Sequence, residues 1–565
     1  MLETTINSLL ETTPSSILAS SLTSSSSITT LASATSTGAT IVTDINDVLW
    51  IIIVTFIIAF FLAFGIGAND VANSFGTSVG SKVLTLRQAC ILATIFEILG
   101  AILLGYKVSG TIRTGMINVE MYDDTKLLML GYLAALFGSA IWNLVATLFG
   151  LPVSGTHSIV GAIIGFSLVA QGIDSVKWEG LIRIVVSWFL SPVLSGLVSM
   201  SLYLFVRNHI INQPEPSKNG LRMLPVFYGF TIFINIFSII HNRPTFIKPF
   251  TWWIALIIAF VIGTFAGILV RIWVVPNLRQ KVLEMRHSFR LSSIHLPHHL
   301  PHLPHLHHHH HHHNHNHHNN HHNHNHNHDQ GDQSPQILNA SKLPMNEIKD
   351  GDEKQSNDSD KKSHLDKDVD KDLESGTDNA VIYNRREKLK HHDPDDDKPE
   401  VAKIFTFLHI LTACFSSFAH GANDTSNAIG PLVAVMMLYQ SGEQSDESPW
   451  YLLLYGGIGM SFGLWICGRK VIKIIGSKLT KITPSTGFTI EIGAAATVLF
   501  ASKVGLPVST THCQVGSVVF VGRAMKTKQG VNWRLFINIA ISWALTVPLS
   551  ALFSAIVMWT LMSWN

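Results

Sequence analysis

Five residues near the start of the apolar sequence could bind an ion. Gly67-Ala68-Asn69-Asp70 with Asn73 gathers a carboxylate and two side-chain amides, and the pattern returns as Gly421-Ala422-Asn423-Asp424 with Asn427. On a helix, Asp70 and Asn73 share a face, as do Asp424 and Asn427. Carboxylate and amide oxygens suit small hard cations, and the lack of neighbouring cysteine ligands disfavours soft metals. A second cassette, Gly150-Leu151-Pro152-Val153-Ser154 with Thr156-His157, returns as Gly505-Leu506-Pro507-Val508-Ser509 with Thr510, Thr511 and His512. Its Gly and Pro break an apolar run, and the hydroxyls of Ser154, Thr156, Ser509, Thr510 and Thr511 open the next segment beside unpaired backbone N–H groups. Such a helix start can cradle an oxyanion without any Lys or Arg. Taken alone, the cassette reads rather as an N-cap after a proline turn, and its duplication beside the Asp clusters is what favours binding.

An oxyanion beside Asp70 and Asp424 is repelled unless a cation, sodium or a proton, shares the site. Glu97 and Glu491 also interrupt apolar runs, where a carboxylate costs at least ~2.5 kcal/mol on insertion scales. Neither has an acidic counterpart in the other copy. His157 and His512 end matching cassettes, and His420 stands where the first copy has Ile66. These three histidines are candidates for tuning the site. Trp188 and Trp543 read as packing or interface residues.

The elements that carry these residues form a duplication. Asp70 and Asp424 lie 354 residues apart, whereas Ser154 and Ser509, and Ser187-Trp188 and Ser542-Trp543, lie 355 apart. The repeated stretch therefore runs from about Leu49 to Phe205. The 565-residue chain is 47% hydrophobic and only 14% charged, too apolar for an ordinary soluble protein. Apolar runs near the ~20 residues that cross a bilayer predict about twelve spans, two of them starting at Val153 and Val508. The fold class expected is an all-α membrane protein with two repeats and broken or re-entrant helices at the midplane. Seven spans separate the starts of the repeats, so the copies enter from opposite faces and the topology is inverted, which brings the two Asp clusters together.

Charge sets the orientation. No Lys or Arg precedes Lys82, whereas Arg469, Lys470, Lys473, Lys478 and Lys481, then Arg523, Lys526, Lys528 and Arg534, fall in alternate loops. The loop with Glu443, Asp446 and Glu447 has no basic residue. Both termini are then extracellular. Lys107, Arg113 and Lys126 would also lie outside, against the trend. The domains expected are a Ser/Thr-rich extracellular leader over 1–45, the first repeat over 46–210, and two connecting spans over 211–278. A cytosolic His/Asn-rich and charged loop over 279–402 and the second repeat over 403–565 follow. The loop cannot build a core, and its histidines offer no closed metal site. Sugar on Asn339 or Asn357 would reverse this topology. Net charge of +2 points to no nucleic-acid partner. Cys90, Cys414, Cys467 and Cys513 read as unpaired thiols, and no nucleophile-base set or Walker-type loop argues for an enzyme.

Duplicated Gly-Ala-Asn-Asp with Asn three residues later, together with Gly-Leu-Pro-Val-Ser-x-Thr-His, resembles the inorganic phosphate transporter family of sodium-phosphate symporters. Phe418 through Leu432 and Thr511 through Val519 resemble its eukaryotic members. The resemblance implies plasma-membrane symport of inorganic phosphate with sodium as co-substrate, by alternating access and with no cofactor. It puts Asp70, Asp424, Glu97 and Glu491 on positions the family needs for transport. Together with the oxygen cluster and the anion cradle read from the residues, phosphate is expected near Asp70, Asp424, Ser154, Thr156, Ser509, Thr510 and Thr511, and sodium coupling at Asn69, Asp70, Asn73, Asn423, Asp424, Asn427, Glu97 and Glu491. Proton coupling, a divalent-cation carrier and a non-transporting phosphate sensor are the alternatives, and a homodimer stays open.

Overall fold

The computed structural model describes residues 45–70, 72–242, 251–294, 397–442, 444, 448–469, 471–472, 476, 478–525, 527 and 530–564. The leader, the His-rich tract, Asn339, Asn357, and the loop charges at Glu443, Asp446, Glu447, Lys470, Lys473, Lys526 and Lys528 lie outside these residues. The described residues up to Arg290 and from Asp397 onward form one compact unit. Among the described residues the protein is helical throughout, with one isolated β-bridge, Ile117 to Val176.

The first half comprises α1 (Ile45–Asp70), α2 (Ala72–Gly80), α3 (Leu86–Leu104), α4 (Tyr106–Thr114), α5 (Thr125–Leu148), α6 (Gly155–Gln171) and α7 (Trp178–Val206). Then come α8 (Pro216–Asn242), α9 (Trp252–Leu269) and α10 (Val275–Ile294), the last two joined by a π-turn over Val270–Val274. The second half comprises α11 (Pro399–Ser441), α12 (Trp450–Cys467), α13 (Pro484–Lys503), α14 (Thr510–Ala524) and α15 (Trp533–Trp564). Helix therefore runs past the boundaries read at 279 and 403. Helix α10 continues to Ile294, and α11 starts with Pro399, a residue preorganised for the first turn.

Among the described residues ten helices are long and apolar enough to cross a membrane, and they account for ten of the twelve runs read in the sequence. The two remaining runs, those begun at Val153 and Val508, form α6 with 17 residues and α14 with 15. At 1.5 Å per residue they reach only about 22–25 Å, short of the ~30 Å hydrocarbon core. The reason is local, because the cassette before each one is spent on a break. Gly150 and Gly505 both adopt φ +68°, open to glycine without strain. Each closes the same turn: Leu151 N donates to Ala146 O at 2.9 Å, and Leu506 N to Ala501 O at 3.0 Å. Ser154 and Ser509 then cap α6 and α14 by accepting from His157 N at 3.2 Å and His512 N at 3.1 Å.

Packing crosses between the halves. Helix α6 lies against α15 and α14 against α7, while α12 packs on α1 and α11 on α3. The leading glycine of each Asn-Asp motif makes this approach possible. A Cβ at Gly67 would collide with the Met460 backbone, and one at Gly421 with the Glu97 backbone. The motif helices are thus pressed backbone to backbone against the opposite half. Helices α5 and α13 are the most enclosed, with 78% and 89% of their apolar windows buried, and they sit directly before the two breaks. Helices α9 and α15 expose large apolar rows such as Phe260, Phe265, Ile541 and Ile556, as surfaces toward lipid do. All four cysteines are free.

Candidate functional site

The two cassettes of each half meet, and then meet their counterparts. Opening a helix leaves backbone groups at Leu151 to Val153 that water cannot reach in a membrane. Asn69 satisfies them: its Oδ1 accepts from Val153 N at 3.0 Å and its Nδ2 donates to Leu151 O at 2.9 Å. In the second half Asn423 Nδ2 donates to Val508 O at 2.9 Å. The asparagine before each aspartate therefore pins the break that follows it.

The next contacts join the halves. Asn73 Nδ2 donates to Thr511 Oγ1 at 2.9 Å, and Asn427 Nδ2 donates to Thr156 Oγ1 at 2.8 Å. The threonines reciprocate across the seam, Thr511 donating to Val153 O at 3.1 Å and Thr156 to Val508 O at 3.0 Å. Every partner in one pair is the repeat counterpart of a partner in the other.

Between these braces lie the two carboxylates, both 1% exposed. Asp70 accepts from Thr511 Oγ1 at 3.2 Å and from Gly155 N, the first amide of α6, at 3.3 Å. Asp424 is held more fully: Asn423 Nδ2 at 2.9 Å, Asn427 Nδ2 at 3.0 Å and Thr510 Oγ1 at 2.6 Å all donate to it. His420 adds a third group. Its Nε2 lies 2.8 Å from Asp424 Oδ2 and its Nδ1 3.1 Å from Glu97 Oε1. A neutral imidazole carries one N–H, so it can donate to only one of those carboxylates at a time. Asp70, His420 and Asp424 offer ligand atoms that all lie within 4.8 Å of one another.

Asn73, Asn423 and Asn427 each keep a buried Oδ1 without a hydrogen-bond partner, as Glu97 and Glu491 do an Oε2. Buried oxygens left unpaired this way are costly unless a cation or proton is available to them. Among the described residues a space of about 10 Å³ is lined by Asn73, His420, Thr510 and Gln514 among others, room for an ion or one water. A tetrahedral oxyanion does not fit in that space.

The remaining candidate site residues all lie among the described residues. Glu97 joins the cluster through His420, whereas Glu491 lies apart, accepting from Thr77 Oγ1 and, at 3.0 Å, from Gln514 Nε2. Ser154 and Ser509 are turned to capping. His157 and His512 face each other across the seam at 4.4 Å, His157 stacked on Trp188 and His512 tilted against Trp543, both at 3.8 Å, with His512 Nδ1 3.0 Å from Trp188 O. Sequence reading missed Thr77, Gln514 and His409, whose Nε2 is 3.1 Å from Thr77 Oγ1. His409 and Gln514 were visible as polar interruptions of apolar runs. Thr77 gave no such signal, because its repeat position is Pro431.

Residues 66–554 match the phosphate transporter family. The sodium-dependent phosphate transporter 1-B of Danio rerio is 40% identical, the alignment covering 91% of this chain and 96% of that protein. The sodium-dependent phosphate transporter 1 of Homo sapiens is 38% identical over the same shares of each. A solved structure described as the sodium-dependent phosphate transporter superposes with a TM-score of 0.65 at 32% identity, covering 91% of this chain and 99% of the other. The match spans both Asn-Asp motifs, both glycine-proline breaks and the seam between them. The chain belongs to the phosphate transporter family.

Proposed function

We propose that this protein is a sodium-coupled symporter of inorganic phosphate that works by alternating access. The crossed bracing carries the reading: Asn73 to Thr511 and Asn427 to Thr156 tie each half's acidic motif to the other half's break. A site built symmetrically on two halves can open toward one side or the other as those halves rock. Sodium is held by Asp70, Asp424 and the amide oxygens of Asn73, Asn423 and Asn427, with Asn69 as anchor and Glu97 and Glu491 as coupling carboxylates. Phosphate then binds at the starts of α6 and α14, near Ser154, Thr156, Ser509, Thr510 and Thr511, once the site opens. Cation binding must come with it, because Asp70 and Asp424 otherwise repel an anion. His157, His420 and His512 tune this seam.

The reading includes inverted repeats over 46–210 and 403–565, with α6 and α14 as the shortened helices that follow the breaks in a twelve-segment scheme. Residues 1–45 and both termini are extracellular, 211–278 connect the halves, and 279–402 are cytosolic, in the plasma membrane. Purified protein in liposomes tests it through radiolabelled phosphate influx under an imposed inward sodium gradient. Influx should collapse when choline replaces sodium. His420 between two carboxylates favours one second reading, coupling to protons, under which influx would follow an imposed pH gradient and ignore sodium. Arsenate should compete with phosphate, and its failure to do so would favour a cation carrier.

A further inference from the structure

Outside both halves, α8 and α9 cross at Gly229 and Gly263, each close to the other's backbone. Beside this crossing runs an apolar groove of about 540 Å³, walled by Val226, Phe230, Phe233, Phe260 and Ile268 and ending at Arg271. Along α9 it extends from Phe260 to Arg271, roughly 16 Å, about half of a ~30 Å hydrocarbon core. Arg271 also lines a second pocket of about 320 Å³, whose charged lining is Glu215 with Lys218, Arg222, Arg279 and Arg286. One side chain therefore stands where a greasy slot opens onto a basic basin. The π-turn over Val270–Val274 carries Arg271, and Trp273 two residues later is 67% exposed, in the manner of an interfacial anchor.

Charges in the basin are unevenly spent. Lys218 pairs with Glu215 at 2.7 Å, and Arg286 bonds Glu400 at 2.7 Å and Ser217 at 2.6 Å. Arg222, Arg271 and Arg279 are exposed and have no ion-pair partner among the described residues. The pocket's five cations outnumber the Glu215 carboxylate beside them, and three guanidiniums without an ion pair call for an anion of more than one charge, since each takes phosphate oxygens as a fork. An apolar slot one leaflet deep leading into that pocket calls for an acyl chain on the same molecule.

We propose that this groove and basin hold one polyanionic phospholipid, its chain along α8 and α9 and its phosphorylated headgroup on Arg222, Arg271 and Arg279. The site is separate from the Asp70–Asp424 cluster and does not depend on the transported solute. The test uses the purified full chain in nanodiscs with phosphatidylinositol 4,5-bisphosphate, retention being read by native mass spectrometry and affinity by titration. The combined variant Arg222→Gln, Arg271→Gln, Arg279→Gln should bind roughly a hundredfold more weakly, about fivefold for each charge near the surface. The corresponding triple Lys variant should recover most of that loss. Thr264→Phe, which fills the groove, should weaken the lipid while leaving soluble inositol 1,4,5-trisphosphate unaffected. The proposal is overturned if the Gln variant binds like wild type, or if phosphatidylserine at equal total charge binds as well. It is also overturned if the soluble trisphosphate equals the lipid and Thr264→Phe changes nothing, which would make the basin a site for free phosphates. Should the Gln variant fail to fold, the Lys and Thr264→Phe variants decide alone.

Discussion

Replacing Thr511 with valine keeps the side chain's shape and removes only its hydroxyl. That hydroxyl accepts from Asn73 at 2.9 Å and stands within donating reach of Asp70 at 3.2 Å and Val153 O at 3.1 Å. The substitution leaves a buried amide donor without an acceptor and takes a donor from a buried carboxylate, each worth about 1–3 kcal/mol. With partial relaxation the expected loss is about 2 kcal/mol, or roughly thirtyfold in transport efficiency. Thr156→Val removes the mirror-image bonds to Asn427 and Val508 O without touching a carboxylate, so its loss should be nearer tenfold. Sodium-driven phosphate influx in liposomes, normalised to reconstituted protein, measures both, and thermal unfolding in detergent separates misfolding from impaired transport. The decisive number is the coupling between Asn73→Ala and Thr511→Val. If they share one bond, the double variant should be little worse than the poorer single one, a coupling of about 1 kcal/mol or more. Losses that simply add, to within ~0.3–0.5 kcal/mol, would refute the brace and the alternating geometry built on it.

Asp70→Asn and Asp424→Asn remove the charge that neutralises a bound cation, and sodium dependence should shift by tenfold or more with normal surface expression; an unchanged sodium titration in both contradicts their role. Gly67→Ala and Gly421→Ala each drive a Cβ into a facing backbone and should cost about 1–3 kcal/mol of stability in detergent. Gly110→Ala serves as the contrast, since its nearest new neighbour is Arg113 at 3.7 Å, and its melting point should hold or rise slightly. Deleting residues 300–396 should leave phosphate influx intact. Extending the cut through Asp397 should destabilise α13 by about 1 kcal/mol, because that carboxylate accepts from Ser485 N at 2.9 Å and Ser485 Oγ at 2.6 Å.

Much of the site was legible because duplication marks what chance would scatter. A lone Asn-Asp or Gly-Leu-Pro-Val-Ser has a bland explanation, but both cassettes repeat at 354 and 355 residues. Sequence could not show that each motif's partner lies in the other half, since Asn73 and Thr511 are 438 positions apart. Asn69 was read as a cation ligand, yet both ends of its amide serve the broken backbone. His420 was weighed as a tuning residue because nothing in the chain placed Glu97 beside it. The close approach of Gly421 to the Glu97 backbone makes that contact. The runs begun at Val153 and Val508 were read as spans on apolarity, which does not register how a break shortens them to the 17 and 15 residues of α6 and α14. Short polar residues such as Thr77 gave no warning, their importance coming only from what tertiary folding sets opposite them.

The exchange of α6 onto α15 and α14 onto α7 also bears on how the chain is made. When α6 leaves the ribosome, the helix that will cover it is still 378 residues away, from Gly155 to Trp533. At ordinary synthesis rates that wait lasts on the order of 20–75 s. Throughout it, the hydroxyl-rich end of α6 sits in the bilayer or at its edge with neither Asn427 nor α15 to satisfy it. The nascent first half must therefore be sheltered by lipid headgroups or by an insertion chaperone until its second half arrives. Quality control should find its substrates among chains stalled between the two copies, and separately expressed halves should survive only when made together.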